Sequence, residues 1–106
     1  MAKFIYLYRG PTPTAEPTPD QQADRMAAFS AWMEKVGSAL VDGGCPFGAG
    51  ASVRDDGTEG TAGELIGYSI LETADLAEAK ALTAGLPFLA EGDGTRAVEI
   101  FELLAL

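Results

Sequence analysis

Few side chains in this chain can do chemistry, because its 106 residues include no histidine and a single cysteine, Cys45. Without imidazole there is no His-based triad, no imidazole metal ligand and no unperturbed acid/base group near neutrality. Phenols, guanidinium groups and carboxylates remain. Tyr6, Tyr8 and Tyr68 fall in two apolar runs. A period of two puts Tyr6 and Tyr8 on one face with Phe4, and Tyr68 on one face with Ile66 and Ile70. Phenols so placed either complete a core, with hydroxyls satisfied at its edge, or give an apolar cavity between sheets a few polar handles. Arg9 and Arg54 each close a run and could pair the carboxylate of an organic anion. The plainer reading of both is a surface salt bridge. Arg96, at the start of the last run, is a weaker candidate.

Carboxylates gather at Asp55, Asp56, Glu59 and Glu64, and again at Glu91, Asp93, Glu99 and Glu102. Such groups can hold a hard cation or exchange protons. Neither cluster has the spacing of an EF-hand loop, so solvated loop acids are the expectation and no metal is implied. Glu102 stands apart, because alternation can set it with Val98 and Ile100 on an apolar face, where burial would raise its pKa. Cys45 follows a predicted helix C-terminus, whose partial negative charge disfavours a thiolate; it reads as structural. The candidate pocket residues are therefore Tyr6, Tyr8, Arg9, Arg54, Tyr68 and Glu102. No catalytic residue is assigned, and no cofactor is expected.

The composition narrows the partners. Sixteen acidic residues against seven basic ones leave a net charge of −9, which repels phosphate backbones and acidic membranes, so neither nucleic acid nor membrane is an expected partner. No apolar run approaches the length of a membrane helix, and Arg9, Gly10 and Pro11 end the first apolar run before it could serve as a signal segment. A lone cysteine gives no intramolecular disulfide. A cytoplasmic protein is the expectation. At this length, residues 1–106 make one domain.

These residues must be positioned by short, readable elements. Lys3 to Arg9 is rich in aromatic and β-branched residues and stopped by Gly10-Pro11, the pattern of a strand buried on both faces. Pro11 to Pro19 carries four of the six prolines and is predicted to be a loop, either an ordered rim or a floppy one. Thr18-Pro19-Asp20-Gln21 opens a helix with a hydroxyl cap, a proline in the first turn and a capping box. Apolar residues at Met26, Phe29, Trp32, Met33, Val36 and Leu40 then form one stripe, and Gly43-Gly44 is expected to end it. Helix-on-sheet packing accounts for that stripe.

Ala49 to Arg54 is a candidate short strand, Asp56-Gly57 a turn and Leu65 to Thr73 a clear strand, together a hairpin with a long loop. Asp75 to Ala84 is a second helix, capped by Asp75 with Glu78 three residues on and closed by Gly85. Ala97 to Leu104 alternates as a last strand. There is no internal repeat at the level of identity.

The order β, α, β, β, α, β is that of an α+β, ferredoxin-like fold: a four-stranded antiparallel sheet with two helices on one face. The first and third strands, the most apolar runs, should be central. The other sheet face must then meet something, and a second copy around a shared cavity is the simplest answer.

Several short stretches, taken in order, resemble the YCII-related (YciI-like) proteins. They are Gly67-Tyr68-Ser69-Ile70-Leu71-Glu72, then Asp75-Leu76-Ala77-Glu78-Ala79, then Leu86-Pro87-Phe88, Gly92 and Val98-Glu99-Ile100. The apolar first strand, long helix and Gly43-Gly44 turn fit the same layout. The resemblance implies a dimeric α/β barrel. It also implies a site that pairs a histidine with an aspartate just before the proline of the proline-aromatic turn. Here Leu86 holds that place and histidine is absent. The Asp-Gly-Pro-Phe signature of one branch is missing too, with Gly60 to Glu64 running through the comparable region. The resemblance thus implies the fold and the dimer without that chemistry.

Two functional readings follow. In the first, the chain is a small-molecule-binding homodimer with its pocket between the sheets. In the second, it is a small lyase, isomerase or cofactor-independent oxygenase using Tyr, Arg or Glu102 as the acid/base group in that cavity. A third and plainer reading is an interaction module whose sheet edge pairs with a partner.

Overall fold

The computed structural model describes residues 1–11, 18–90, 92 and 94–105. Strand β1 (Ala2–Arg9) leads to helix α1 (Pro19–Val36), a 3-10 turn (Gly37–Ala39) and strand β2 (Leu40–Asp42). Strands β3 (Ser52–Val53) and β4 (Glu59–Gly60) precede β5 (Leu65–Thr73), helix α2 (Leu76–Ala81), a 3-10 turn (Pro87–Leu89) and β6 (Ala97–Leu103). Four strands make one antiparallel sheet in the order β2-β5-β1-β6. The two apolar runs are central, as their composition requires: a strand flanked on both sides needs side chains that tolerate burial. The sheet and its two helices form the ferredoxin-like plan. Residues 12–17, within the segment expected to form a loop, lie outside the described residues.

The start of α1 follows its sequence signals. Thr18 accepts from the Gln21 amide while the Gln21 side chain accepts from the Thr18 amide. Its end corrects the expectation. The helix stops at Val36, because Gly37 takes a left-handed φ of 63°, a conformation that costs glycine least. Leu40 therefore leaves the helical stripe and enters β2, and Met26 at the other end is 71% exposed. Phe29, Trp32, Met33 and Val36 do join the core.

The second sheet strand is also corrected. Leu40–Asp42, rather than the 49–54 segment, runs beside β5, while Ser52–Val53 pairs with Glu59–Gly60 in a separate two-stranded sheet. The early helix stop frees Leu40-Val41-Asp42 for the sheet edge, where it satisfies backbone groups of β5.

The core lies between the helices and one sheet face, built from Phe4, Tyr6 and Tyr8 of β1, Leu71 of β5, Trp32 and Val36 of α1, Ala79 of α2 and Leu86. Helix α2 is too short to be stable alone, and its end is held by side chains. The Tyr6 hydroxyl donates to the Ala79 carbonyl, Trp32 Nε1 to Leu82 O at 2.9 Å and Lys35 Nζ to Ala84 O at 3.0 Å. These donors occupy carbonyls that a helix C-terminus otherwise leaves unpaired.

Burial, reinforced by neighbouring Tyr8, pushes the Tyr6 phenol up to about 12 from an ordinary 10.0. The folded state therefore keeps a proton that the unfolded chain releases. The contribution is complete below pH 10 and declines as pH rises from 10 through 12, with a slope approaching ~1.4 kcal/mol per pH unit. Tyr6→Phe should cost about 1 kcal/mol at neutral pH, because Ala79 O loses its donor. In urea melts across this alkaline range, the native protein should lose stability more steeply than the variant. Equal slopes would contradict the assignment.

Candidate functional site

Register divides the sheet residues between two faces. Opposite residues of an antiparallel pair point to the same side, so Phe4, Tyr6 and Tyr8 share the helix side with Glu102, Ile100 and Val98 of β6. Lys3, Ile5, Leu7 and Arg9 share the other face with Leu103, Phe101, Glu99 and Ala97. From β5, Glu72, Ile70 and Tyr68 join that outer face opposite Lys3, Ile5 and Leu7. No helix of the described chain covers it. Across its middle runs an apolar row, Ile70–Ile5–Phe101, with Phe101 55% exposed. The first strand is thus buried on one face and only half-buried on the other within a single chain.

One end of the outer face carries most of its polar chemistry. Arg9 Nε donates to Glu99 Oε1 at 2.8 Å, and Nη2 to Oε2 at 3.4 Å. The pair is partly solvated, so it orients the guanidinium more than it stabilises the fold. Tyr68 donates its hydroxyl to Asp42 Oδ2 at 3.1 Å and stacks on Phe47 with ring centroids 5.9 Å apart. The bond to the Asp42 carboxylate, and then its charge, push the Tyr68 phenol above its ordinary range.

The segment that brings Phe47 here depends on a close backbone approach. Gly44 has φ 76°, and a Cβ there would stand 1.6 Å from the Tyr68 carbonyl oxygen. Beyond it, Phe47 N donates to Ile66 O at 2.8 Å. An open groove of about 510 Å³ follows, lined by Phe47, Gly48, Gly63, Glu64 and Ile66 among others. Gly63 also adjoins Arg9, since a Cβ on it would lie 3.8 Å from Nη1. Arg9, Tyr68, Phe47 and the groove therefore meet at one end of the uncovered face.

The other expected pocket residues lie elsewhere. Tyr6 and Tyr8 face the helices rather than a second sheet, and both hydroxyls are engaged. Tyr8 bonds Ser69 Oγ at 2.7 Å, and Ser69 in turn donates to Gly43 O at 2.8 Å, so the tyrosine is the donor. Burial pushes the Tyr8 phenol up. The bulky aromatic row turned inward because it fits against Trp32 and Phe88. Arg54 stands in the β3–β4 turn, with Nη1 donating to Thr58 Oγ1 at 3.3 Å. Glu102 keeps the face that alternation gave it, but at the sheet end it is exposed rather than buried. It borders a hollow with Lys3 and Glu72, at the end opposite Arg9.

Arg96 lies over the Phe88 ring, 5.4 Å from its centroid, as a packing cation. Cys45 is exposed. Among the described residues no three His, Cys, Asp or Glu side chains gather as a metal site, and Glu91 and Asp93 lie outside them. Within the first acidic cluster, Asp56 serves its own turn: Thr58 N and Oγ1 donate to its carboxylate and hold its pKa low. Sequence reasoning missed Phe47, Asp42 and Ser69, since the Gly43-Gly44 pair was read as a helix stop rather than as a hinge against β5.

A four-stranded antiparallel sheet with two helices on one face defines an α+β protein of the ferredoxin-like class. The chain belongs to the YCII-related domain family, whose model matches residues 2–104. A comparison with curated proteins gave no match. Among solved structures, it is similar to 5-chloro-2-hydroxyhydroquinone dehydrochlorinase (TftG) from Burkholderia phenoliruptrix AC1100, in complex with 2,5-dihydroxybenzoquinone. The TM-score is 0.54 at 20% identity, covering 98% of this chain and 94% of that one. At this identity the likeness speaks for the fold. Among the described residues no helix is long and apolar enough to cross a membrane.

Proposed function

We propose that the chain works as a cytoplasmic homodimer whose outer sheet faces meet, and that it holds a small organic molecule between them at the Arg9–Tyr68–Phe47 end. The uncovered apolar row Ile70–Ile5–Phe101 carries the dimer part of this reading: a second copy buries it with the symmetry most oligomers use. The aromatic pair suits a planar ring, and Arg9 supplies a positive charge for an acidic substituent. On a chain of net charge −9, an anionic ligand needs such a cation to offset the general repulsion.

Binding is favoured over proton transfer. All three tyrosines hold their protons more tightly than a free phenol, which makes them poor bases and weak acids near neutrality.

The structural neighbour's ligand, 2,5-dihydroxybenzoquinone, is a suitable first probe, with a panel of aromatic carboxylic acids beside it. A binder at a hundred times its Kd should stabilise the protein by roughly 2.7 kcal/mol, visible as a thermal shift. Arg9→Ala should weaken that binder at least tenfold in calorimetry. A panel that leaves the melting temperature unchanged, or an Arg9→Ala variant that binds equally well, would overturn the reading.

A further inference from the structure

The chain has more surface than its mass calls for. A folded monomer of 11.0 kDa exposes about 5,600 Å², whereas this one exposes 7381 Å². The surplus, roughly 1,800 Å², is about twice what one partner contributes to a standard interface. The radius of gyration, 15.2 Å, likewise exceeds the ~13 Å expected of a compact domain of this length. The bare sheet face explains part of the surplus. The hairpin of β3 and β4 adds to it: it stands outside the four-stranded sheet, and Val53 on it is 72% exposed.

A two-stranded hairpin is marginal in water unless something packs on it. This one is nonetheless tightly formed. Arg54 N donates to Thr58 O at 2.8 Å and Gly57 N to Arg54 O at 3.0 Å, and Asp56 holds both donors of Thr58. Its tip is thus organised by hydrogen bonds within the turn itself. It also leaves the body at the groove beside Phe47 and Gly63, which is the rim of the site. From Gly50 to Arg54, where the turn begins, an extended chain reaches ~13 Å, more than the ~10 Å between stacked sheets.

We propose that this hairpin is an arm that seats on the second copy of the chain and closes the side of the intersheet site, with Val53 as its apolar contact. The inference rests on the homodimer proposed above. Two variants test it by sedimentation velocity across a dilution series. In one, Val53→Asp alters a side chain already exposed in the single chain. In the other, residues 52–59 are replaced by two glycines. Both should keep the native circular dichroism and weaken dimerisation at least tenfold. If the unaltered protein dimerises and both variants dimerise as tightly, the arm is refuted and the dimer stands. If the unaltered protein is a monomer at every concentration, the dimer fails and the arm with it.

Discussion

Gly44→Ala should cost the fold at least ~4 kcal/mol and lower the melting temperature by ~15–30 °C. A Cβ at Gly44 would penetrate the Tyr68 carbonyl oxygen, 1.6 Å away, and the backbone there has φ 76°, which disfavours any side chain. The segment from Gly44 to Phe47 can relieve the clash only by leaving β5. That would break the Phe47–Ile66 backbone bond and the Gly44 amide bond to Asp42. Phe47 would leave Tyr68, so ligand binding should fall with stability. Gly48→Ala is the control: no atom lies within 4 Å of its Cβ position and its φ is not in the left-handed range, so it should stay within ~0.5 kcal/mol of the native protein. Thermal melts read both, and matching melting temperatures would contradict the close approach.

Phe101→Glu should weaken dimerisation a hundredfold or more, about 2.7 kcal/mol. Phe101 is 55% exposed in the single chain and ends the apolar row Ile70–Ile5–Phe101. Its replacement should therefore leave the monomer's stability nearly unchanged. Between two stacked sheets the added carboxylate would lose its water without gaining a partner, the costly way to bury a charge. Ligand affinity should drop with it, because the proposed site lies between the faces. Unaltered sedimentation in this variant would place the interface elsewhere.

The fold was legible wherever local chemistry and tertiary demand agreed. Thr18-Pro19-Asp20-Gln21 specifies a helix start through bonds within four residues, and the structure contains both capping bonds. Strand β5, Leu65–Thr73, was readable to its ends because its apolar run is bounded by turn chemistry. The helix stop was misplaced because Gly37 sits inside a stripe whose spacing continues to Leu40, and period alone does not reveal a glycine turned to positive φ. Strand β2 was missed for the same reason.

The site was legible in part. Alternation put Tyr6 and Tyr8 on one face and Tyr68 on another strand. It does not say which face of a central strand the helices cover, so the inward turn of Tyr6 and Tyr8 waited on Trp32. Phe47 and Asp42 come to Tyr68 through the tight approach at Gly44, a long-range contact that no periodicity encodes. Arg9 stood out as a scarce cation on an acidic chain, and its bond to Glu99 follows only from the β1–β6 register.

Whether a second copy covers the outer sheet face is tested most directly by sedimentation velocity of the unaltered chain, diluted from micromolar to nanomolar. The predicted result is a species of twice the 11.0 kDa chain mass, persisting through the micromolar range and dissociating, if at all, only on further dilution. A single species at the chain mass throughout would contradict it.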